Sequence, residues 1–391
     1  MLQSIRATLL AAALLCAAAL AAAAPTAPNK NLLLNPGFEK NLGSHEWMPS
    51  AWDTSEAGLS TVFFGRDTFL VHGGSHAVSI ANTSTAYVMG HNWSQTLLVG
   101  REAWGKDAVL SVWTRSNGLQ GRAYVMLQAY RDTITKMSRI WGVDRDAARR
   151  RMGVNQVDDP LIDLGWQRVQ YDDAQSDWVR RTARVYVPYG TNVLFVRCGL
   201  FGTGQVLYDD ASLTLEPAKP AVTPPVNTNL FADPGFEDGA LAWEQVVPPY
   251  EGARLDRDST VVHSGRFSLR ASNMKDGLVQ TRMGVVQPFS ARALAGKRLR
   301  LTGWFKADSL KSTAYLKIYA HSASGLHQSP GTDLLSGTFD WTKLSIEFDV
   351  PPGTVQLWPW LVFNAPSEGT LWIDDAELVV LGPAASRGKK P

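Results

Sequence analysis

Tyr124–Tyr130 reads YVMLQAY, and Tyr315–His321 reads YLKIYAH. Both stretches alternate with the period of two that marks a half-buried β-strand. Val125, Leu127 and Ala129 fall in step with Leu316, Ile318 and Ala320, and these small or aliphatic side chains are expected to face a core. The opposite face carries Tyr124, Met126, Gln128 and Tyr130 in one copy, and Tyr315, Lys317, Tyr319 and His321 in the other. Such a set makes a poor core and a good surface for stacking and hydrogen bonding.

Moving outward, the offset of 191 residues holds without a gap from Asp67–Tyr130 onto Asp258–His321. Asn31–Glu39 (NLLLNPGFE) answers Asn229–Glu237 (NLFADPGFE). The copies lock again at an offset of 163, Asp177-Trp178 on Asp340-Trp341, and both close on an aspartate pair, Asp209-Asp210 and Asp374-Asp375. A duplication on this scale means two domains of one fold. Short apolar alternations punctuated by Gly, Pro, Asn and Asp, without long amphipathic helical patterns, make that fold all-β. Two tandem β-sandwiches over residues 30–215 and 229–381 are expected. Between them Glu216–Thr228 (EPAKPAVTPPVNT) reads as a Pro-rich linker, and 382–391 as a disordered tail.

A second strand repeats the parity. Leu194, Val196, Cys198 and Leu200 match Leu357, Pro359, Leu361 and Phe363 on the apolar side. The other side holds Phe195 and Arg197, or Trp358 and Trp360. Two indoles at i and i+2 form a flat platform about 7 Å long, from the rise of a strand. The rival arrangement, with the indoles inside the sandwich, would expose the aliphatic set.

Residues 1–24 carry one charge, Arg6, before a Leu/Ala run and Ala22-Ala23-Ala24, the pattern of a signal peptide cleaved near Ala24. The expectation is a secreted or periplasmic bacterial protein with no membrane span afterwards. The mature chain then keeps one of its two cysteines, Cys198, so no internal disulfide is available. Without Arg6 the charges stand at 37 basic against 36 acidic. That balance argues against nucleic acid or an anionic membrane as partner. A monomer is expected. The 14 Trp exceed what two cores of this size need.

The opening N-L-x-x-N-P-G-F-E, the H-[GS]-G at His72–Gly74 and His263–Gly265, and the strands Ser111–Arg115 and Thr302–Lys306 all recur. So do the V-P-x-G-T of Val187–Thr191 and Val350–Thr354 and the closing D-D-A-x-L. In this order, twice, they resemble carbohydrate-binding modules of the family 4, 9 and 22 type, with a galactose-binding-like jelly-roll fold. The resemblance implies a polysaccharide or oligosaccharide ligand on a concave face. It would use Tyr124, Gln128, Tyr130, Phe195 and Arg197 in copy one, and Tyr315, Lys317, Tyr319, His321, Trp358 and Trp360 in copy two. Trp113 and Trp304 are added as matched residues, either structural or in the cleft. Aromatic faces stack on the C–H faces of sugars, and planar polar groups satisfy hydroxyls. The resemblance also implies a structural calcium, held by Glu39 with Asp209 and by Glu237 with Asp374.

Copy one carries 28 extra residues, placed near 132–165, where Asp144–Met152 (DRDAARRRM) reads as a short basic helix. No nucleophile elbow, zinc helix, phosphate loop or Rossmann turn occurs. A polysaccharide hydrolase or lyase using Asp158-Asp159 and Asp172-Asp173 is the second reading, and a surface or matrix adhesion protein the third.

Overall fold

The computed structural model describes residues 30–54, 61–85, 90–132, 161–246, 252–273, 282–322, 325–332, 334–364 and 368–384. The expected signal peptide at residues 1–24 and the expected helix at Asp144–Met152 lie outside them.

In module one the strands are β1 (Asn41–Leu42), β2 (His45–Pro49), β3 (Asp53–Thr54), β4 (Val62–Asp67), β5 (Ala77–Asn82) and β6 (His91–Leu98). They continue with β7 (Lys106–Asp132), β8 (Leu161–Tyr171), β9 (Gln175–Tyr186) and β10 (Val193–Pro217). Module two has β11 (Glu244–Val246), β12 (Ala253–Asp258), β13 (Ser268–Asn273), β14 (Met283–Val286) and β15 (Phe289–Ser290). It closes with β16 (Lys297–Ser322), β17 (Gly325–Gln328), β18 (Leu335–Asp349), β19 (Thr354–Phe363) and β20 (Gly369–Pro383). β4 and β5 map onto β12 and β13 at the sequence offset, residue for residue.

Each module is a two-sheet jelly-roll sandwich of antiparallel strands. The first sheet of module one runs β3-β6-β10-β7-β8, using Val193–Gly202 of β10 and Gly121–Asp132 of β7. The second runs β4-β5-β10-β7-β9, using the other halves of the same two long strands. Both strands therefore pass from sheet to sheet at one corner. Glycine makes that corner: Gly121 (φ 114°) and Gly202 (φ 123°) face each other. A Cβ on Gly121 would lie 2.3 Å from the Phe201 carbonyl oxygen, and one on Gly202 2.1 Å from that of Gln120. Module two repeats the plan with β11-β14-β19-β16-β17 against β12-β13-β20-β16-β18.

Each module has its own core. Val125, Leu127, Ala129, Leu194, Val196, Cys198 and Leu200 are fully buried in the first, and Leu316, Ile318, Ala320, Leu357, Leu361 and Phe363 in the second. The strand parity holds, and the indoles of Trp358 and Trp360 lie outside the sandwich. Burial pushes the Cys198 thiol up, so it stays protonated and acts as a small apolar core residue.

Three boundaries differ from the sequence reading. Strand β8 begins at Leu161, so the end of the insertion pairs with β7 as regular sheet. Glu216 and Pro217 finish β10 rather than start a linker. Gly382 and Pro383 finish β20, pairing with Arg298 and Lys297, so order extends past the expected start of the tail. The spacer is also tied at both ends: Lys219 N–H donates to Asp107 (3.1 Å) and Asn227 N–H to the Val380 carbonyl (3.0 Å). Composition flags proline, but it cannot register such long-range partners.

Candidate functional site

The outer face of the β14-β19-β16 sheet gathers Tyr315, Lys317, Tyr319, His321, Trp358 and Trp360, all named from sequence. Alternation puts them on one side, and the β16/β19 register sets Lys317 opposite Trp360 and Tyr319 opposite Trp358. Tyr319 meets Trp360 edge-on with ring centroids 5.9 Å apart, and His321 lies against Trp358 at 4.1 Å. Arg282, which the sequence reading missed, donates to the Tyr319 hydroxyl (3.1 Å) and lies 5.6 Å from the Trp360 ring. Tyr315 and Tyr319 are largely buried, while both Trp and Lys317 are partly open. Among the described residues, two buried polar atoms here have no hydrogen-bond partner, the Trp360 indole nitrogen and Nε2 of His321. Burial lowers the His321 pKa to about 4, so the ring is uncharged at pH ~7. The face thus sets partly open flat rings beside a cation and a neutral imidazole.

The matching face of module one is not open. Tyr124, Gln128, Tyr130 and Phe195 lie where parity predicts, opposite the core set, but each is less than 10% exposed. The Tyr124 ring occupies the space above Gly199, where a Cβ would come within 2.4 Å of it. Phe201 (5.1 Å) and the Arg168 guanidinium (4.8 Å) cover the same ring. Arg197 lies 4.5 Å over Phe195. The expectation of a solvent-facing surface therefore fails in copy one. Alternation assigns a side of the sheet without saying what covers it.

Trp113 and Trp304 do not join either face. They stand on the other halves of β7 and β16, beyond the corner, and so on the outer side of the second sheet. Trp113 stacks on His72 (3.9 Å) and Trp304 on His263 (4.0 Å), with Trp178 and Trp341 edge-on to the same imidazoles. The matched pair belongs to a clasp that joins the ends of each module.

In that clasp Asp209, wholly buried, accepts the backbone N–H groups of His72 (2.8 Å) and Gly73 (3.1 Å), and Asp210 pairs with His72 Nδ1 (2.7 Å). Glu39 accepts Ser75 N–H (2.8 Å) and pairs with His76 (3.0 Å). Module two repeats it with Asp374 on His263 and Ser264, Asp375 on His263 Nδ1, and Glu237 on Arg266 and Phe267 N–H. A Cβ on Gly235 would lie 3.7 Å from Glu237 Cγ and 3.8 and 3.9 Å from Oδ1 of Asp374 and Asp375. Desolvation, then the neighbouring aspartate, raises the Asp209 and Asp374 pKa values against the pull of those N–H donors. Among the described residues, no group of three or more metal-ligating side chains is arranged to hold an ion. The donor set is of the hard-oxygen kind that calcium takes, with two carboxylates per module at hand. Of the acids considered for catalysis, Asp173 pairs with Arg181 (2.6 Å), Asp172 is exposed, and Asp158 and Asp159 lie outside the described residues.

No family model matches the chain, and no curated protein matches it. Solved structures do. The CBM22-1–CBM22-2 tandem domain of Paenibacillus barcinonensis Xyn10C is 14% identical, with 92% of this chain and all of that one covered, at a TM-score of 0.31. The C-terminal family 22 carbohydrate-binding module of Clostridium thermocellum Xyn10B is 18% identical over 41% of this chain and 98% of its own, at 0.33. The enzymatically active domain of bacteriophage CBA120 tailspike protein 4 is 13% identical over 39% of this chain and 21% of its own, at 0.32. At these scores the fold assignment rests on the strand pairing above.

Proposed function

We propose that this chain is an exported, non-catalytic polysaccharide-binding protein whose main site is the outer aromatic face of module two. The observation that carries the reading is the coincidence, on one sheet face, of the partly open rings of Trp358 and Trp360 with the partly open, polar Lys317. Indole rings supply the stacking surface for a sugar, and neutral His321 can donate or accept. Module one, with its matching face packed by Arg168 and Phe201, acts as the partner that supports this site.

Calcium belongs to the same proposal. Glu39 with Asp209, and Glu237 with Asp374, would hold it, tying the opening loop to the last strand of a module that has no disulfide.

The test is affinity electrophoresis of the mature protein through native gels cast with xylan, β-glucan, hydroxyethylcellulose, mannan, alginate or pectin. Retardation on at least one polymer, weakened by Trp358→Ala, is the expected result. Free migration through all six by folded protein would sink the reading. Steady release of reducing ends or unsaturated products would sink the non-catalytic part alone.

A further inference from the structure

The aromatic face of module two does not end at module two. Trp166 stands on β8, the edge strand of module one, and its ring meets Trp358 edge-on at 5.9 Å. Gln356 joins the two: its amide donates to the Trp166 carbonyl (3.0 Å) and its carbonyl accepts the Trp358 indole N–H (2.8 Å). A cleft of about 170 Å³ opens at this seam, with Trp166, Gln167 and Tyr186 on one wall and Ser290 and Gln356 on the other. Its lining sets two flat rings and neutral amide and hydroxyl groups among aliphatic side chains, with Arg184 as a cation.

The seam is held in one position. Two residues along β8, Arg168 pairs with Glu244, the side chains being 16% and 10% exposed. Gln170 donates to the carbonyls of both Leu241 (3.0 Å) and Trp243 (3.1 Å). An ion pair this dry is tolerated only in a fixed geometry. The cation in the cleft wall, Arg184, is already engaged by Asp107 (3.1 Å) and Glu216 (2.6 Å).

We propose that the glycan site of module two continues across the seam, with Trp166 of module one as a stacking residue, so that both modules grip one polysaccharide chain. The inference rests on the reading of the module two face as a glycan site.

The experiment is affinity electrophoresis of the full mature chain in xylan, β-glucan, hydroxyethylcellulose, mannan, alginate and pectin, with five variants. Trp166→Leu keeps bulk and removes the flat ring; it should weaken binding about tenfold, equivalent to about 1.4 kcal/mol. Trp166→Phe should recover most of that loss. Trp166→Leu with Trp358→Ala should bind little worse than Trp358→Ala alone, because the two rings act as one surface. Gln170→Ala loosens the same seam away from the cleft, and should lower the melting temperature while leaving retardation unchanged. Wild-type retardation in Trp166→Leu overturns the inference and leaves the module two site standing. Equal loss in Gln170→Ala and Trp166→Leu overturns it too, since Trp166 would then only hold the modules together. Free migration of the wild type in all six gels overturns the underlying reading.

Discussion

Acidification should destabilise the protein through His321, and Gln at that position should remove the effect. An unperturbed imidazole titrates near pH ~6.5, whereas burial beside Trp358 brings His321 to about 4. Between those values the unfolded chain binds a proton that the folded chain refuses. Stability is therefore intact above about pH 6.5 and falls as the pH drops toward the folded pKa. A shift of roughly 2.5 units, at about 1.36 kcal/mol per unit, sets a ceiling of about 3 kcal/mol. The ring is partly open, so about 2 kcal/mol is the expected loss at about pH 4.5 after allowing for solvent screening. Urea unfolding followed by Trp fluorescence, at about pH 7 and about pH 4.5, measures it in wild type and His321→Gln. Other groups titrate in both proteins and cancel in the difference. An equal loss in the two proteins would refute the reasoning, because His321 would then be protonated in the fold at little cost.

Other expectations follow from the same geometry. Trp358→Ala with Trp360→Ala should abolish most retardation while far-ultraviolet circular dichroism stays unchanged, since neither indole is in the core; a collapsed spectrum would contradict the outward assignment. Arg168→Met removes the hydrogen-bonded partner of buried Glu244 and leaves it Arg122 as a positive neighbour, and should cost about 3 kcal/mol, with recovery in Arg168→Met/Glu244→Met; a double variant no more stable than the single one counts against the pair. Gly74→Ala should destabilise the clasp by more than ~1 kcal/mol, because its φ is 63° and the new Cβ would fall 1.9 Å from a Glu39 carboxylate oxygen; an unshifted melting curve would argue against this loop geometry. Chelation should lower the melting temperature and added calcium restore it, whereas identical curves with and without chelator would remove calcium from the clasp.

The sequence by itself determined the duplication, the all-β class and the side of the sheet each strand residue takes. These properties repeat at short range: Val125 and Tyr124 must face opposite ways in any strand, and Leu, Val and Cys outcompete Tyr and Gln for the interior. The opening glutamates and closing aspartates were legible as motifs, and folding brings them to one loop. What covers a face was decided only by tertiary structure. Phe195 and Trp358 occupy equivalent positions, yet the first is buried under Arg197 while the second stays partly open. Trp113 shares strand β7 with Tyr124, and the glycine corner between them sends the two to different sheets. Gln356 and Trp166 meet from 190 positions apart, with no local pattern to announce it. Periodicity is a property of one strand, whereas occlusion and docking depend on which strands the whole chain brings together.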